Sequence, residues 1–249
     1  MGPDVDPAWI GARVVTTTGG NGGYSTFALA RTADLHRVPE PLDLPEAAAL
    51  LADGRTAVGL HQAAGIQPGE AVVITAAAGG VGSILVQLAK ASAAQVIALA
   101  GSADKLDHAR SLGADTTVSY RDQDWTTRIR ATAPDGVDVV FDGIGADTTT
   151  ALFGLVRSGR RYVQHGAAGG SWGTIDPTKA ADKDIRVIPL SAIGAIPDDL
   201  FSLTERALDL AAQGGIRPTI GQTFPLDDAA AAHAAIESRT TIGKTLLLP

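Results

Sequence analysis

The chain has 249 residues, a formal net charge of −7 and no cysteine. That length allows one large core with a smaller part beside it. The acidic balance argues against nucleic acid or an anionic membrane as partner, and the lack of cysteine excludes disulfides and thiolate metal ligands.

The N-terminus, Met1-Gly-Pro-Asp-Val-Asp-Pro, is acidic and has no apolar core, so it does not read as a signal peptide. The apolar runs are broken well short of a membrane span, and the expected location is the cytoplasm. Residues 1–45 read as β structure and loops. Gly11 to Val15, Tyr24 to Leu29 and Asp34 to Val38 are expected as strands, separated by a polar glycine-rich turn and ended by Pro39 and Pro41. Leu44 to Ala64 reads as helical, starting near Pro45-Glu46. An interruption is expected at Asp53-Gly54-Arg55-Thr56, with a second helix from Ala57 to Ala64.

Glu70 to Lys90 organises the rest of the chain. Val72, Val73 and Ile74 form a β-branched run suited to a strand covered on both faces. Ala77, Gly79 and Gly82 then stand at the spacing of the dinucleotide fingerprint, with alanine in the first glycine position. Gly79 lets the backbone approach a pyrophosphate, and Gly82 lets the following helix pack close to the strand. The free N–H groups of that helix start would face the phosphates. Strands are expected at 95–100, 116–120, 137–142, 160–165 and 185–190. Helices are expected at 103–112, 124–132, 148–156 and 198–213, and residues 166–184 are expected as a loop. The tail reads as strand 220–225, helix 226–238 and strand 245–248. This alternation predicts a doubly wound parallel α/β sheet of Rossmann type.

Three places at the ends of strands carry site chemistry. A ribose-binding acid is expected about 20 residues past the glycine turn. Ala100-Gly101-Ser102 stands there instead, and Asp104 reads as a first-turn helix acid. Ser102 and Lys105 suit a 2′-phosphate, which favours NADPH over NADH; the plainer reading of Lys105 is a solvated helix residue. Asp142-Gly143-Ile144 ends the fourth strand of the alternation. Gly143 and Ile144 would pass under the adenine, or form a strand-end turn capped by Asp142. Gly166-Ala167 ends the next strand and would lie against the nicotinamide. His165 beside it reads either as a general acid or as a structural histidine.

Several stretches together resemble the medium-chain dehydrogenase/reductases of the zinc-free quinone oxidoreductase group. They include Gly22 to Phe27, Leu44 to Leu50, Thr56-Ala57, Ile66 to Glu70, Ala76 to Gly82 and Leu112 to Asp115. Gly136 to Asp142, Gly159-Arg160 and Ile242-Gly243-Lys244 complete the set, in the family's order. The resemblance implies NADPH-dependent reduction of a quinone or another α,β-unsaturated carbonyl. It places Gly80 and Val81 with Gly79 and Gly82 in the cofactor turn, and Tyr120 with Ser102 and Lys105 at the 2′-phosphate. It also places Thr56 near the nicotinamide, with a helix N-cap as its alternative, and Lys244 close to the cofactor cleft, with a solvated lysine as its alternative. Asp53 and Arg55 stand where the family has small or apolar residues. They read as a substituted polar pocket or as an ion pair. His36, His61, His108, His165 and His233 show no ligand spacing, so no metal is expected.

By the same resemblance, residues 51–214 form the dinucleotide-binding domain, and residues 1–50 with 215–249 form a partial, mostly β, GroES-like substrate domain. Met1 falls where the family's first substrate-domain segment would be ending. Strands left without partners would favour a homodimer. The alternatives are a non-redox biosynthetic enzyme, such as a cyclase or isomerase, and a nucleotide-binding protein without reductase activity.

Overall fold

The computed structural model describes residue 2, residues 5–194 and residues 199–249. The elements in order are β1 (Val14–Val15), β2 (His36–Arg37), α1 (Leu44–Ala64), β3 (Ala71–Ile74), α2 (Gly80–Ala91), β4 (Gln95–Ala100) and α3 (Ala103–Ser111). They continue with β5 (Thr116–Ser119), α4 (Trp125–Thr132), β6 (Val137–Asp142), α5 (Ala146–Phe153), β7 (Val156–Gln164), α6 (Pro177–Asp182) and β8 (Arg186–Pro189). The last four are α7 (Leu200–Ala212), β9 (Ile220–Pro225), α8 (Ala229–Glu237) and β10 (Lys244–Leu248).

Six strands form one sheet in the order β5-β4-β3-β6-β7-β8, parallel at every pairing. The chain leaves β3 towards β4 and β5, then returns to β6 on the other side. This reversal opens a crevice at the carboxyl ends of β3 and β6, where ligands bind in such sheets. Alternate residues of each strand feed two cores. Val72, Ile74, Val96, Val139 and Phe141 pack with residues of α1, α2 and α7. Val73, Ile97, Leu99, Val118 and Val140 pack with Ile129 of α4 and Leu152 and Phe153 of α5. All four residues of β3 are buried, which is why its apolar run is continuous. The doubly wound α/β class read from the sequence is the fold of the chain.

The N-terminal strands are shorter than expected: β1 and β2 are two residues each and pair antiparallel. Tyr24 to Leu29 forms no strand, and Phe27 and Leu29 are 92% and 97% exposed. Alternation alone does not make a strand that has no partner to bond.

α1 runs unbroken through Asp53-Gly54-Arg55-Thr56, so the expected interruption is absent. Gly54 is buried, and a Cβ there would meet Leu50 and Ala207 at 2.9 and 3.0 Å. The glycine is a contact point for α7 rather than a breaker, and Thr56 stands inside the helix rather than at an N-cap. The true cap is Asp43, which accepts from the Glu46 amide at 2.7 Å while Glu46 accepts from the Asp43 amide at 3.2 Å. Residues 166–184, expected as loop throughout, contain α6, capped by Asp176. The expected start of the long helix at Asp198 lies outside the described residues; α7 begins at Leu200, with Asp199 as its cap. β9 and β10 pair parallel as a separate two-stranded sheet. Among the described residues, no helix is long and apolar enough to cross a membrane.

Candidate functional site

Between β3 and α2 the chain turns through Thr75 to Gly79. Ala76 takes the left-handed conformation, with φ of 48°. The strain therefore sits one residue before Ala77, which the fingerprint aligns with the first glycine. A Cβ on Gly82 would overlap the Ala76 carbonyl oxygen and stand 2.9 Å from its carbon and 3.0 Å from the Ala77 Cα. The helix thus starts directly against the turn, with the amides of its first turn at the crevice. A Cβ on Gly79 would stand 3.2 Å from the same carbonyl oxygen. The Gly79 amide bonds to Ala76 O at 2.8 Å.

A cleft of about 440 Å³ opens from this turn. Gly79, Lys105, Tyr120, Ile144, Gly169 and Arg239 are among its lining residues. At the end of β4, a Cβ on Gly101 would meet the Tyr120 hydroxyl at 2.5 Å and Arg121 Nε at 3.2 Å. Lys105, one turn into α3, donates from Nζ to the Arg239 carbonyl at 2.7 Å. Burial, and then the charge of Arg121, hold the Lys105 ammonium below its ordinary pKa. The corner therefore gathers cations around a glycine. Ser102 begins α3, is exposed, and makes no capping bond through its side chain. Sequence reasoning missed Arg121 and Arg239. Arg239 lies only five positions before Lys244, but nothing local shows that the chain after α8 folds back onto α3.

Asp142, at the end of β6, is 1% exposed. Its Oδ1 accepts from the amides of Ile144 and Gly145, both at 3.0 Å, and from the Thr75 hydroxyl at 3.3 Å. Its Oδ2 accepts from Thr149 at 2.6 Å and Tyr162 at 2.8 Å. Burial first, then the Asp142 charge, push the Tyr162 phenol far up, so it stays a donor. This carboxylate anchors the loop that carries Gly143 and Ile144 across the crevice. Asp142→Asn would place an amide among these donors and cost about 1–3 kcal/mol, read by urea unfolding. An unchanged midpoint would show that the network contributes nothing.

The segment after β7 runs beside that loop. A Cβ on Gly166 would meet Gly143 O at 2.6 Å and Gly143 Cα at 3.0 Å. The Ala168 and Gly169 amides bond to the Gly143 and Ile144 carbonyls at 3.1 and 2.7 Å. Ala168 and Gly169 line the cleft, whereas Gly166 and Ala167 do not.

His165 packs its ring on Gly143, with Cε1 2.7 Å from where a Cβ would stand. Its Nε2 is enclosed without a partner among the described residues, and burial pushes its pKa down to about 4. The folded state thus disfavours the protonated ring, while the unfolded chain binds that proton near 6.5. Stability should fall as pH drops from about 6.5 to about 4. His61 and His108, also lowered by burial, act in the same direction. His165→Asn should flatten this slope in thermal melts taken across that window; an unchanged slope would mean His165 does not contribute to it.

A second cleft, of about 520 Å³, shares Ile236 and Thr241 with the first. Asp53 and Lys244 line it, and Lys244 Nζ stands 3.0 Å from Asp53 Oδ1. A Cβ on Gly80 would overlap the Asp53 carboxylate, so that carboxylate sits at the start of α2. Asp53 pairs with Lys244 and not with Arg55, because residues two apart on a helix point to different sides. Arg55 is half-buried, and its Nε has no hydrogen-bond partner among the described residues. Neither of these two clefts is lined by Arg55, Thr56, Ser102 or His165. Val81 is half-buried and packs against the α1 and α2 side of the core. Among the described residues no three His, Asp or Glu side chains converge as metal ligands.

The zinc-binding dehydrogenase family matches residues 112–247. The chain is 35% identical over 261 residues to 2-haloacrylate reductase of a Burkholderia species, covering 100% of this chain and 77% of that protein. It is 31% identical over 254 residues to quinone oxidoreductase of Pseudomonas aeruginosa, covering 100% of this chain and 78% of that protein. A mycobacterial protein solved in complex with NADPH superposes with a TM-score of 0.89 at 30% identity, over 100% of this chain and 79% of that one. Escherichia coli quinone oxidoreductase, also solved with NADPH, gives a TM-score of 0.78 at 31% identity, over 87% of this chain and 68% of that one.

Proposed function

Since the chain belongs to the medium-chain dehydrogenase/reductase superfamily, in its quinone oxidoreductase group, we propose that it is an NADPH-dependent reductase of a quinone or another α,β-unsaturated carbonyl compound. One observation carries the cofactor reading. The end of β4 holds Gly101, with Tyr120 and Arg121 against it and Lys105 in the following helix start, where an NADH site would place an acid; Arg239 lines the same cleft. The fit is supported by the turn as well: the lack of a Cβ on Gly82 lets α2 start directly against the Ala76 carbonyl, and the amides at the start of α2 suit a pyrophosphate. The names of relatives and the NADPH bound to two solved neighbours agree with this reading.

NADPH, when bound, supplies the hydride. Lys105, Arg121 and Arg239 would hold the 2′-phosphate, with the Tyr120 hydroxyl and Ser102 beside them. Gly79, Gly80, Val81 and Gly82 would face the pyrophosphate. Gly143 and Ile144, fixed by Asp142, would pass under the adenine side. Gly166 and Ala167 would back the nicotinamide, and Thr56 would approach it from α1. The same proposal has residues 51–214 as the dinucleotide-binding domain and residues 1–50 with 215–249 as substrate domain. It has the protein acting without zinc, in the cytoplasm, as a homodimer. Sedimentation would test the dimer.

Calorimetry with NADPH and NADH, and a 1,4-quinone turnover assay on the same sample, test the reading. NADPH should bind at least about tenfold more tightly than NADH, the value of one charged hydrogen-bonded contact, and quinone should oxidise it. Equal binding of the two nucleotides would overturn the phosphate assignment. Binding without turnover of any conjugated carbonyl would overturn the reductase.

A further inference from the structure

We propose that Asp53 sets the strength of dinucleotide binding: its carboxylate stands over the start of α2 in the free protein and opposes the pyrophosphate there, and Lys244 offsets that opposition. The proposal rests on the NADPH reading and deepens it.

A Cβ on Gly80 would overlap Asp53 Oδ2 and stand 2.8 Å from Cγ, so the carboxylate lies over the first residue of α2. It can lie there only because that residue is glycine. Gly79 precedes it as the cap, so the helix has no side chain of its own over its first amides. An anion is drawn to this end of a helix, and Asp53 is the anion that α1 supplies. A dinucleotide brings the negative charge of its pyrophosphate to the same amides. The two charges have one sign and compete for one positive helix end.

Both members of the ion pair are held where they stand. Asp53 has 17% of its side chain exposed and Lys244 31%, and Lys244 Nζ donates to Asp53 Oδ1 at 3.0 Å. Next to Asp53, Gly54 packs against Leu50 and Ala207, which fixes the backbone of α1 beneath the carboxylate. The Gly243 amide bonds to Ala78 O at 2.7 Å and Gly243 bridges to Gly79, which ties Lys244 to the nucleotide turn. As a unit the pair is neutral. The turn therefore meets a carboxylate whose charge is largely cancelled, and removing either member uncovers the other.

Calorimetry with NADPH and NADH reads the effect. Asp53→Asn keeps the shape and removes the charge. It should tighten both nucleotides about tenfold, because both carry the pyrophosphate and one charge at close range in a partly buried site is worth at least about that factor. Lys244→Met should weaken both about tenfold, and the double variant should return near the wild type. Without nucleotide, the Asp53→Asn protein should melt about 2–4 °C lower, having lost the ion pair and the carboxylate at the helix start. Opposite signs for affinity and stability separate this role from a merely structural one, in which both would fall. Unchanged or weaker binding by Asp53→Asn, or a gain confined to NADPH, would overturn the proposal and leave the NADPH reading standing. Asp53→Ala provides the same test if Asp53→Asn does not fold. Failure of either nucleotide to bind the wild type and Asp53→Asn alike would overturn both.

Discussion

Gly82→Ala should abolish nucleotide binding and destabilise the protein by about 3 kcal/mol or more. The added methyl meets only backbone: the Ala76 carbonyl and the Ala77 Cα. No flexible side chain can yield, and the turn it would push already holds Ala76 at a positive φ. Either α2 moves away from β3 or the turn reshapes, and both displace the amides at the start of the helix. For a chain of this size the melting temperature should fall by roughly 6–12 °C. Gly79→Ala is the informative companion. Its methyl would have to settle 3.2 Å from the Ala76 oxygen, a contact relieved by a small shift. It should therefore cost much less stability while still blocking the approach of a pyrophosphate. A Gly82→Ala protein with normal melting and normal NADPH binding would show that the close approach of α2 to the turn is not required.

Lys105→Glu should reverse the nucleotide preference, weakening NADPH about 100-fold and NADH little. The lysine ammonium is fixed to Arg239 O at 2.7 Å and stands near Arg121, so an anion placed there relieves repulsion between cations. A glutamate removes one contact to a 2′-phosphate and adds repulsion, yet it gains a partner for a free ribose 2′-hydroxyl. Paired titrations of the two nucleotides read the outcome directly. Equal weakening of both would mean that Lys105 supports the fold of the corner and does not read the phosphate.

Because the Asp53 carboxylate lies against Gly80, the first residue of α2, the state of Asp53 matters to both clefts. The residue was legible in the sequence as out of place in α1, but its partner was not. Pairing it with Arg55 would have needed two neighbours on a helix to face one another, which the 3.6-residue period forbids. Lys244 meets it only because β10 is tied to the glycine turn through Gly243. Gly54 makes the same point from the packing side. Read locally it breaks a helix; in the folded chain it admits Ala207 of α7, and the helix continues.

The sheet class, the glycine turn and the start of the basic corner after β4 were written in the order of the residues. They follow from periods of two and 3.6 residues, from glycines at fixed spacing and from a lysine in a known register, all of which are properties of neighbours along the chain. Long-range folding settled the rest: Tyr24 to Leu29 stays unpaired, α1 is one helix, Asp142 is a buried hub, Arg239 joins Lys105, and Asp53 and Lys244 meet in a second cleft. Each of these depends on which distant segment supplies the contact, and burial and hydrogen bonding are settled only when that segment arrives.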